Sequence, residues 1–199
     1  MPKPLNEPLD LGPVCLRNRA VLGPMSGVTD APFRRLAWKL GAGLVTSEMV
    51  ASKALVESRR DALRRIRAGA GPLAIQLVGR EAEWLAEGAR IAESLGAELI
   101  DINMGCPARH VTGGQAGSAL MRDLDHACEL IRAVVGAVSV PVTLKMRAGR
   151  DASSPNAPEL ARRAESEGVA LVTVHGRFRQ QLFKGHADWR FIASIKQAV

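Results

Sequence analysis

Short apolar segments alternate along the chain with longer amphipathic segments, and the pair repeats roughly every 30 residues, the length of a strand-helix unit. The apolar segments are residues 20–25, 43–49, 72–78, 98–104, 141–147 and 170–176. They are almost continuously apolar, as parallel strands buried on both faces are. The pattern therefore predicts six parallel strands.

The amphipathic segments between these strands have apolar residues at helical spacing and residues that favour helix ends. We predict helices within 30–41, 80–96, 123–138, 156–168 and 188–199. Asp30, Asp123 or Asp125, and Asn156 are expected N-caps, and glycines end the first two helices. Strands alternating with helices predict βα units on a parallel sheet.

Both a doubly wound sheet and a TIM barrel fit this alternation. The first turn lacks the GxGxxG pattern of dinucleotide-binding doubly wound folds. Polar residues instead collect where strands end, as in the mouth of a barrel: Ser26, Glu48, Gln76, Asn103, Lys145, Arg147 and His175. We therefore expect a TIM barrel, with residues 1–199 supplying about six of its eight βα units.

Composition indicates where the protein is located and what kind of partner it binds. No segment has the roughly 20 apolar residues of a membrane span, and the N-terminus lacks a secretory pattern, so we expect a cytoplasmic protein. The three widely spaced cysteines predict neither disulfides nor a metal site, with Cys15 and Cys128 as buried packing residues. The net charge of +7, carried mostly by arginine, suits a polyanionic partner, although solubility alone also explains it.

Four strand residues are candidates for binding a ligand. Lys145 and Arg147 alternate on one strand and so face the same side, where they need an anion or a buried ion pair with Glu48 or Asp101. His175 ends the next strand, and Gly176 lets the chain turn there. Gln76 offers both a donor and an acceptor to the edge of a heterocycle.

Two loops are further candidates. Residues 23–34 present a Gly-Pro turn at a strand end, which suits either close contact with a flat ligand or a simple tight turn. Cys106 lies between Gly105 and Pro107 just after a strand, and a flexible glycine-rich loop is predicted to follow it. A thiol there can act as a nucleophile or as an acid, and spacing does not choose between them.

A series of motifs resembles one family, the tRNA-dihydrouridine synthases, and most closely its bacterial B-type branch. In order they are PMSGVTDAPFR, SEMV, IQLVG, DINMGCP, GSALMRD, PVTLKMRAG and TVHGR followed by FKGHADW. The resemblance runs from about Val21 to the last residue. It implies an FMN-binding TIM barrel that uses NADPH to reduce uridine in the D-loop of tRNA to dihydrouridine.

The resemblance also assigns roles to residues. Cys106 is implied as the general acid, and Asn103 and Arg147 as residues facing the substrate base. The implied cofactor residues are Pro24, Met25, Ser26, Gln76, Lys145 and His175. It further implies a monomer, with no metal and no membrane partner, whose remaining βα units and helical tRNA-binding domain lie outside residues 1–199. The alternatives are a flavin barrel acting on a free pyrimidine and an inactive barrel that only binds RNA.

Overall fold

The computed structural model describes residues 4–67 and 69–199. These residues include nine strands: β1 (Leu9–Leu11), β2 (Val14–Leu16), β3 (Val21–Leu22), β4 (Leu44–Val45), β5 (Val50–Ala51), β6 (Ala74–Val78), β7 (Leu99–Met104), β8 (Val142–Arg147) and β9 (Leu171–His175). The helices are α1 (Ala31–Lys39), α2 (Ser52–Val56), α3 (Arg60–Arg65), α4 (Ala82–Ser94), α5 (Arg109–Thr112), α6 (Leu124–Val135), α7 (Ala157–Ser166) and α8 (Trp189–Ala198). Two short 3-10 helices cover Gly117–Arg122 and Arg179–Gln181.

The parallel strands lie beside one another in the order in which they occur along the chain. Strands β5 to β9 form one sheet in that order, and β3 pairs with β4. A bridge between Thr46 and Ala74 joins the two groups. A doubly wound sheet reverses its strand order partway, whereas a barrel wall does not. The order confirms the prediction of a TIM-barrel fold, of which these strands form an arc.

Alternate residues of the central strands face opposite layers of the protein. Ile75, Ile100, Leu144 and their alternate neighbours face outward and belong to a buried core shared with the helices. Residues one position away face the interior of the arc. This alternation explains why the outward positions of the strands are all apolar, while polar residues occupy some of the inward positions.

A β-hairpin formed by β1 and β2 covers the amino-terminal end of the interior. Its Leu11, Val14 and Leu16 pack against Leu44 of β4 and Leu99 of β7 in a second apolar cluster. Because those strand residues are the first inward positions of their strands, the cluster forms an apolar floor. The sequence pattern did not predict this hairpin.

The predicted helices are present, and two of the expected caps form. Asp30 accepts a hydrogen bond from the Phe33 N–H at 2.9 Å, and Asp123 accepts one from the His126 N–H at 3.0 Å. Asn156 occupies the N-cap position of α7, but its side chain donates to the Met121 carbonyl at 2.6 Å instead of capping the helix. None of the described helices is long and apolar enough to cross a bilayer.

The sequence interpretation differs from the structure at three points. The segment predicted as one strand at 43–49 is interrupted, so that β4 ends at Val45 and the chain rejoins the sheet as β5. Helices α2 and α3 follow, and they were missed because five or six residues are too short to show a clear helical period. Cys128 is buried as expected, whereas Cys15 is exposed because it occupies the outward position of β2.

Candidate active site

Polar side chains occupy three successive levels of the interior, above the apolar floor. Strand register places Gln76, Asp101 and Thr143 on the first level. The second level holds Asn103, Lys145 and Thr173, and the third holds Arg147 and His175. Gln76 therefore lies in the middle of β6 and deeper than the strand end predicted for it. These levels approach the carboxyl ends of the strands, where barrel enzymes build their active sites.

Asp101 is the centre of the deepest level. Its carboxylate accepts hydrogen bonds from the Thr143 hydroxyl and from the Gln76 amide Nε2, each at 2.6 Å. Burial raises the pKa of Asp101, while these hydrogen bonds and the positive charge of Lys145 act in the opposite direction. Because the Gln76 amide nitrogen donates to Asp101, the oxygen of the same amide points away from Asp101.

The orientation of the Gln76 amide determines that of the Asn103 amide, which in turn holds the Cys106 loop. The Gln76 Oε1 accepts from Asn103 Nδ2 at 2.8 Å, which turns the Asn103 oxygen toward the end of β7. This oxygen accepts the backbone N–H groups of Gly105 at 3.1 Å and Cys106 at 2.9 Å. An acceptor at Asp101 thus sets the direction of two amides and the position of Cys106.

The buried 3-10 helix that ends the glycine-rich segment packs back against Cys106. The Cys106 carbonyl accepts hydrogen bonds from the Ser118 N–H at 3.0 Å and from its hydroxyl at 2.9 Å. Gly117 has a φ of +60°, and a Cβ there would lie 2.8 Å from the Cys106 oxygen. Glycine at this position therefore lets the buried 3-10 helix reach the cysteine. The Cys106 thiol is half-buried beside it.

Cations dominate the upper levels. Lys145, Arg147 and Arg177 form no ion pair with any carboxylate of the part of the chain that the structure describes. Burial lowers the pKa of Lys145, and the nearby Arg147 lowers it further against the effect of Asp101. Burial and these three cations lower the pKa of His175 to about 4, so its imidazole is neutral at pH 7. This part of the interior favours an anion.

Arg147 joins two loops of the mouth. Its side chain is buried, and its Nε donates to the Gly105 carbonyl at 3.0 Å. A second guanidinium nitrogen donates to the carbonyls of Phe178 and Leu182, both at 3.2 Å. Of the two possible ion-pair partners considered as an alternative to an anionic ligand, Glu48 does not contact Arg147: it accepts from the Gly27 N–H at 2.5 Å and lies 3.8 Å from Arg65. Arg147 thus connects the loop after β7 to the loop after β9.

We expect Arg147→Lys to lower the free energy of unfolding by about 2 kcal/mol, because an ammonium does not reproduce hydrogen bonds to carbonyls on two loops. Thermal or urea unfolding measures the change. Arg150→Lys is the matched control. The Arg150 guanidinium is exposed, and its ion pair with Asp151 is a long one of 3.8 Å. Equal stability of the two variants would contradict the bridging role.

The loop containing Pro24, Met25 and Ser26 is a compact turn at the end of β3. The Met25 N–H donates to the hydroxyl of the fully buried Thr29 at 3.0 Å, and the Thr29 N–H donates back to the Met25 carbonyl at 3.0 Å. Met25 is 41% exposed. The turn therefore presents an apolar side chain at the rim of the barrel.

The structure brings most of the candidate residues together. Gln76, Asn103 and Cys106 belong to one hydrogen-bonded chain, while Lys145, Arg147 and His175 lie on the levels above Asp101. The candidate site residues from the sequence omitted Asp101 and Thr143. An aspartate in the middle of the apolar segment LIDINM, two positions before Asn103 and so on the same face, was the available signal.

Comparison with known proteins identifies the family. The model of the dihydrouridine synthase family matches residues 21–199. A probable tRNA-dihydrouridine synthase of Rhizobium leguminosarum is 58% identical over 92% of this chain, and tRNA-dihydrouridine synthase B of Pseudomonas aeruginosa is 50% identical over 95%. The chain spans 58% of the length of each of these two proteins.

Solved structures support the fold. Morphinone reductase superposes with a TM-score of 0.63 at 15% identity, covering 98% of this chain and 77% of its own. At that identity the likeness shows the barrel architecture alone. The family model and the two relatives identify the same family as the motifs whose residues form the hydrogen-bonded interior. The chain therefore belongs to the dihydrouridine synthase family.

Proposed function

We propose that the protein reduces a uridine of tRNA to 5,6-dihydrouridine, with a flavin as hydride donor and Cys106 as proton donor. The position of Cys106 carries the proposal: the cysteine of the motif DINMGCP is half-buried at the end of β7, and its N–H is held by Asn103 at 2.9 Å. Both relatives are named for this reaction. The finer parts of the proposal are FMN and NADPH as cofactors, the D-loop as target, a monomer and a cytoplasmic location.

The residues present fit a flavin that carries a phosphate. Lys145, Arg147 and Arg177 have no carboxylate partner among the described residues, and the buried Nε of Arg177 has no hydrogen-bond partner there either. An anion satisfies such groups. We propose that Lys145 lies beside the ring and that His175 lies on the ring or phosphate side.

Other residues fit the flat part of the cofactor. Gln76 uses one amide hydrogen for Asp101 and its oxygen for Asn103, which leaves one N–H and one lone pair for the polar edge of the ring. Pro24, Met25 and Ser26 supply the turn at the rim, where the exposed Met25 can contact the ring.

The chemistry requires a hydride at one carbon of the uracil 5,6 double bond and a proton at the other. When bound, the flavin supplies the hydride, which it receives from NADPH. Cys106 gives its thiol proton to the second carbon and regains a proton from water. Because the base of a stacked uridine is out of reach, the nucleotide must be turned into the mouth, where Asn103 and Arg147 face it.

The test compares tRNA from cells with and without the gene at its natural length. We expect mass spectrometry to find fewer dihydrouridines in tRNA of the deletion strain and full recovery on complementation. Unchanged dihydrouridine at every position, with no second synthase in the cell, would refute the proposal. Turnover of free uracil without tRNA would favour the pyrimidine-reducing alternative, and a colourless protein that binds tRNA would favour the RNA-binding one.

A further inference from the structure

A positively charged cavity of about 620 Å³ lies at the rim of the barrel, outside the hydrogen-bonded interior. We name it the arginine groove and define it by its charged lining residues: Arg35, Arg64, Arg65, Arg67, Asp30 and Glu48. The arginines come from α1 and from α3 with the segment that follows it. The groove therefore forms only when the chain folds, although three of its arginines are close in sequence.

The two acidic residues of the groove are already engaged. Asp30 accepts the Phe33 N–H at 2.9 Å as the cap of α1, and Glu48 accepts the Gly27 N–H at 2.5 Å. Of the groove arginines, Arg65 alone approaches a carboxylate of the described residues, with a nitrogen 3.8 Å from the Glu48 oxygen. The exposed Arg35, Arg64 and Arg67 make no ion pair with the residues that the structure describes.

A buried arginine fixes the wall of the groove. Arg34 is 1% exposed, and its guanidinium donates to the Thr29 carbonyl at 2.6 Å and to the Arg67 carbonyl. Burial lowers the pKa of Arg34, while Asp30 and Glu48 oppose this change. Arg34 thereby ties the chain at Arg67 to the turn after β3. The groove is a built feature of the fold rather than a chance meeting of surface side chains.

The groove adjoins the candidate active site. Gly27 of the turn after β3 lines it, and so does Glu48, whose neighbour Met49 has its sulfur 3.8 Å from the Asn103 amide nitrogen. An RNA strand whose base enters the mouth at Cys106 and Asn103 therefore has room for an adjacent backbone segment in the groove.

We infer that the arginine groove binds the RNA backbone through phosphodiester groups next to the uridine that enters the active site. Guanidinium groups bind phosphate oxygens in pairs, and such contacts position a nucleic acid without reading its sequence. This inference rests on the proposed function for its RNA substrate. It adds a second site, on the barrel itself, that holds the strand while the base is turned out.

The test measures tRNA affinity against salt concentration for the natural-length protein with Arg64→Gln and Arg67→Gln combined. We expect roughly tenfold weaker binding and a slope of log K against log salt that is smaller by about 1 to 2, because two phosphate contacts are lost. The loss should be similar for tRNAs of different sequence. Flavin content and the thermal unfolding midpoint show that the variant folds.

The matched control removes two arginines elsewhere, Arg60→Gln with Arg90→Gln. Arg60 lies on α3 outside the groove, and Arg90 pairs with Glu87 on α4 at 2.9 Å. Equal slopes for the groove and control variants would overturn the inference. A raised KM for NADPH with an unchanged tRNA slope would also overturn it, because the groove would then hold the phosphates of the dinucleotide.

The outcomes separate this inference from the proposed function. Binding is measured without turnover, so a wild-type protein that binds tRNA but forms no dihydrouridine would refute only the proposed reaction. A wild-type protein that reduces uridine, with equal slopes for the two variants, would refute only the groove. A wild-type protein that binds no tRNA would refute both.

Discussion

Under the proposed function, replacing Cys106 by alanine should slow uridine reduction by about 10²- to 10⁴-fold, the range that a positioned acid contributes. The Cys106 backbone is held by Asn103 on one side and Ser118 on the other, through groups that alanine keeps. The substitution therefore removes the thiol and little else. Flavin content and flavin reduction by NADPH measure whether the cofactor site survives, and single-turnover oxidation of the reduced flavin by tRNA measures the proton-dependent step.

The control for this experiment is Cys15→Ala, which removes an exposed thiol on the hairpin. We expect its reduction rate to match that of the wild type, which excludes a general effect of thiol loss. A Cys106→Ala protein with a normal single-turnover rate would remove the cysteine from the mechanism. Loss of flavin together with turnover would instead make Cys106 a structural residue.

Asp101→Ala should slow turnover by about 10²-fold, although Asp101 is not expected to touch the substrate. Without the carboxylate, the Gln76 amide and the Thr143 hydroxyl lose their acceptor, which costs about 1 to 3 kcal/mol of unfolding free energy. The Gln76 and Asn103 amides are then free to turn, and the Cys106 loop loses its fixed position. A displacement of about 1 Å at reacting groups is enough for this loss of rate.

Asp101→Asn separates orientation from charge. Its oxygen can still accept from Gln76, and its amide can donate to the Thr143 hydroxyl, so the direction of the hydrogen-bonded chain is kept. We expect this variant to recover most of the kcat lost in Asp101→Ala, with the visible flavin spectrum of the wild type. Equal loss in both variants would show that the carboxylate acts through its charge on Lys145 instead.

Hydrophobic patterning was sufficient to predict the strands that lie in the middle of the sheet. Strands β6, β7 and β8 are buried on both faces, so their sequences are mostly apolar, with polar residues at inward positions alone, and they are easy to recognise. The interrupted strand after α1 was misread because the polar residues Thr46, Ser47 and Glu48 are a short break with apolar residues on both sides. The role of Gly117 could not be read from the glycine-rich sequence after Cys106, because this glycine serves close packing against the cysteine carbonyl.

The hydrogen-bonded chain beneath the site could not be predicted from sequence in the same way. Gln76 and Asp101 come from different strands, and only the register of β6 against β7 makes them neighbours. The arginine groove likewise depends on the tertiary fold, here on helix packing, because Arg35 meets Arg64 and Arg67 only after α1 and α3 are folded. A motif can identify which residues matter, but strand register determines which of them meet.

The alternation of inward and outward residues in β8 makes the length of this strand more important than its composition. A conservative replacement at an outward position, such as Met146, changes packing at one point. Inserting or deleting one residue before Leu144 would turn both cations toward the helices and place Leu144 and Met146 in the interior. Natural variation in this strand should therefore consist of substitutions, with insertions and deletions confined to the loops at either end.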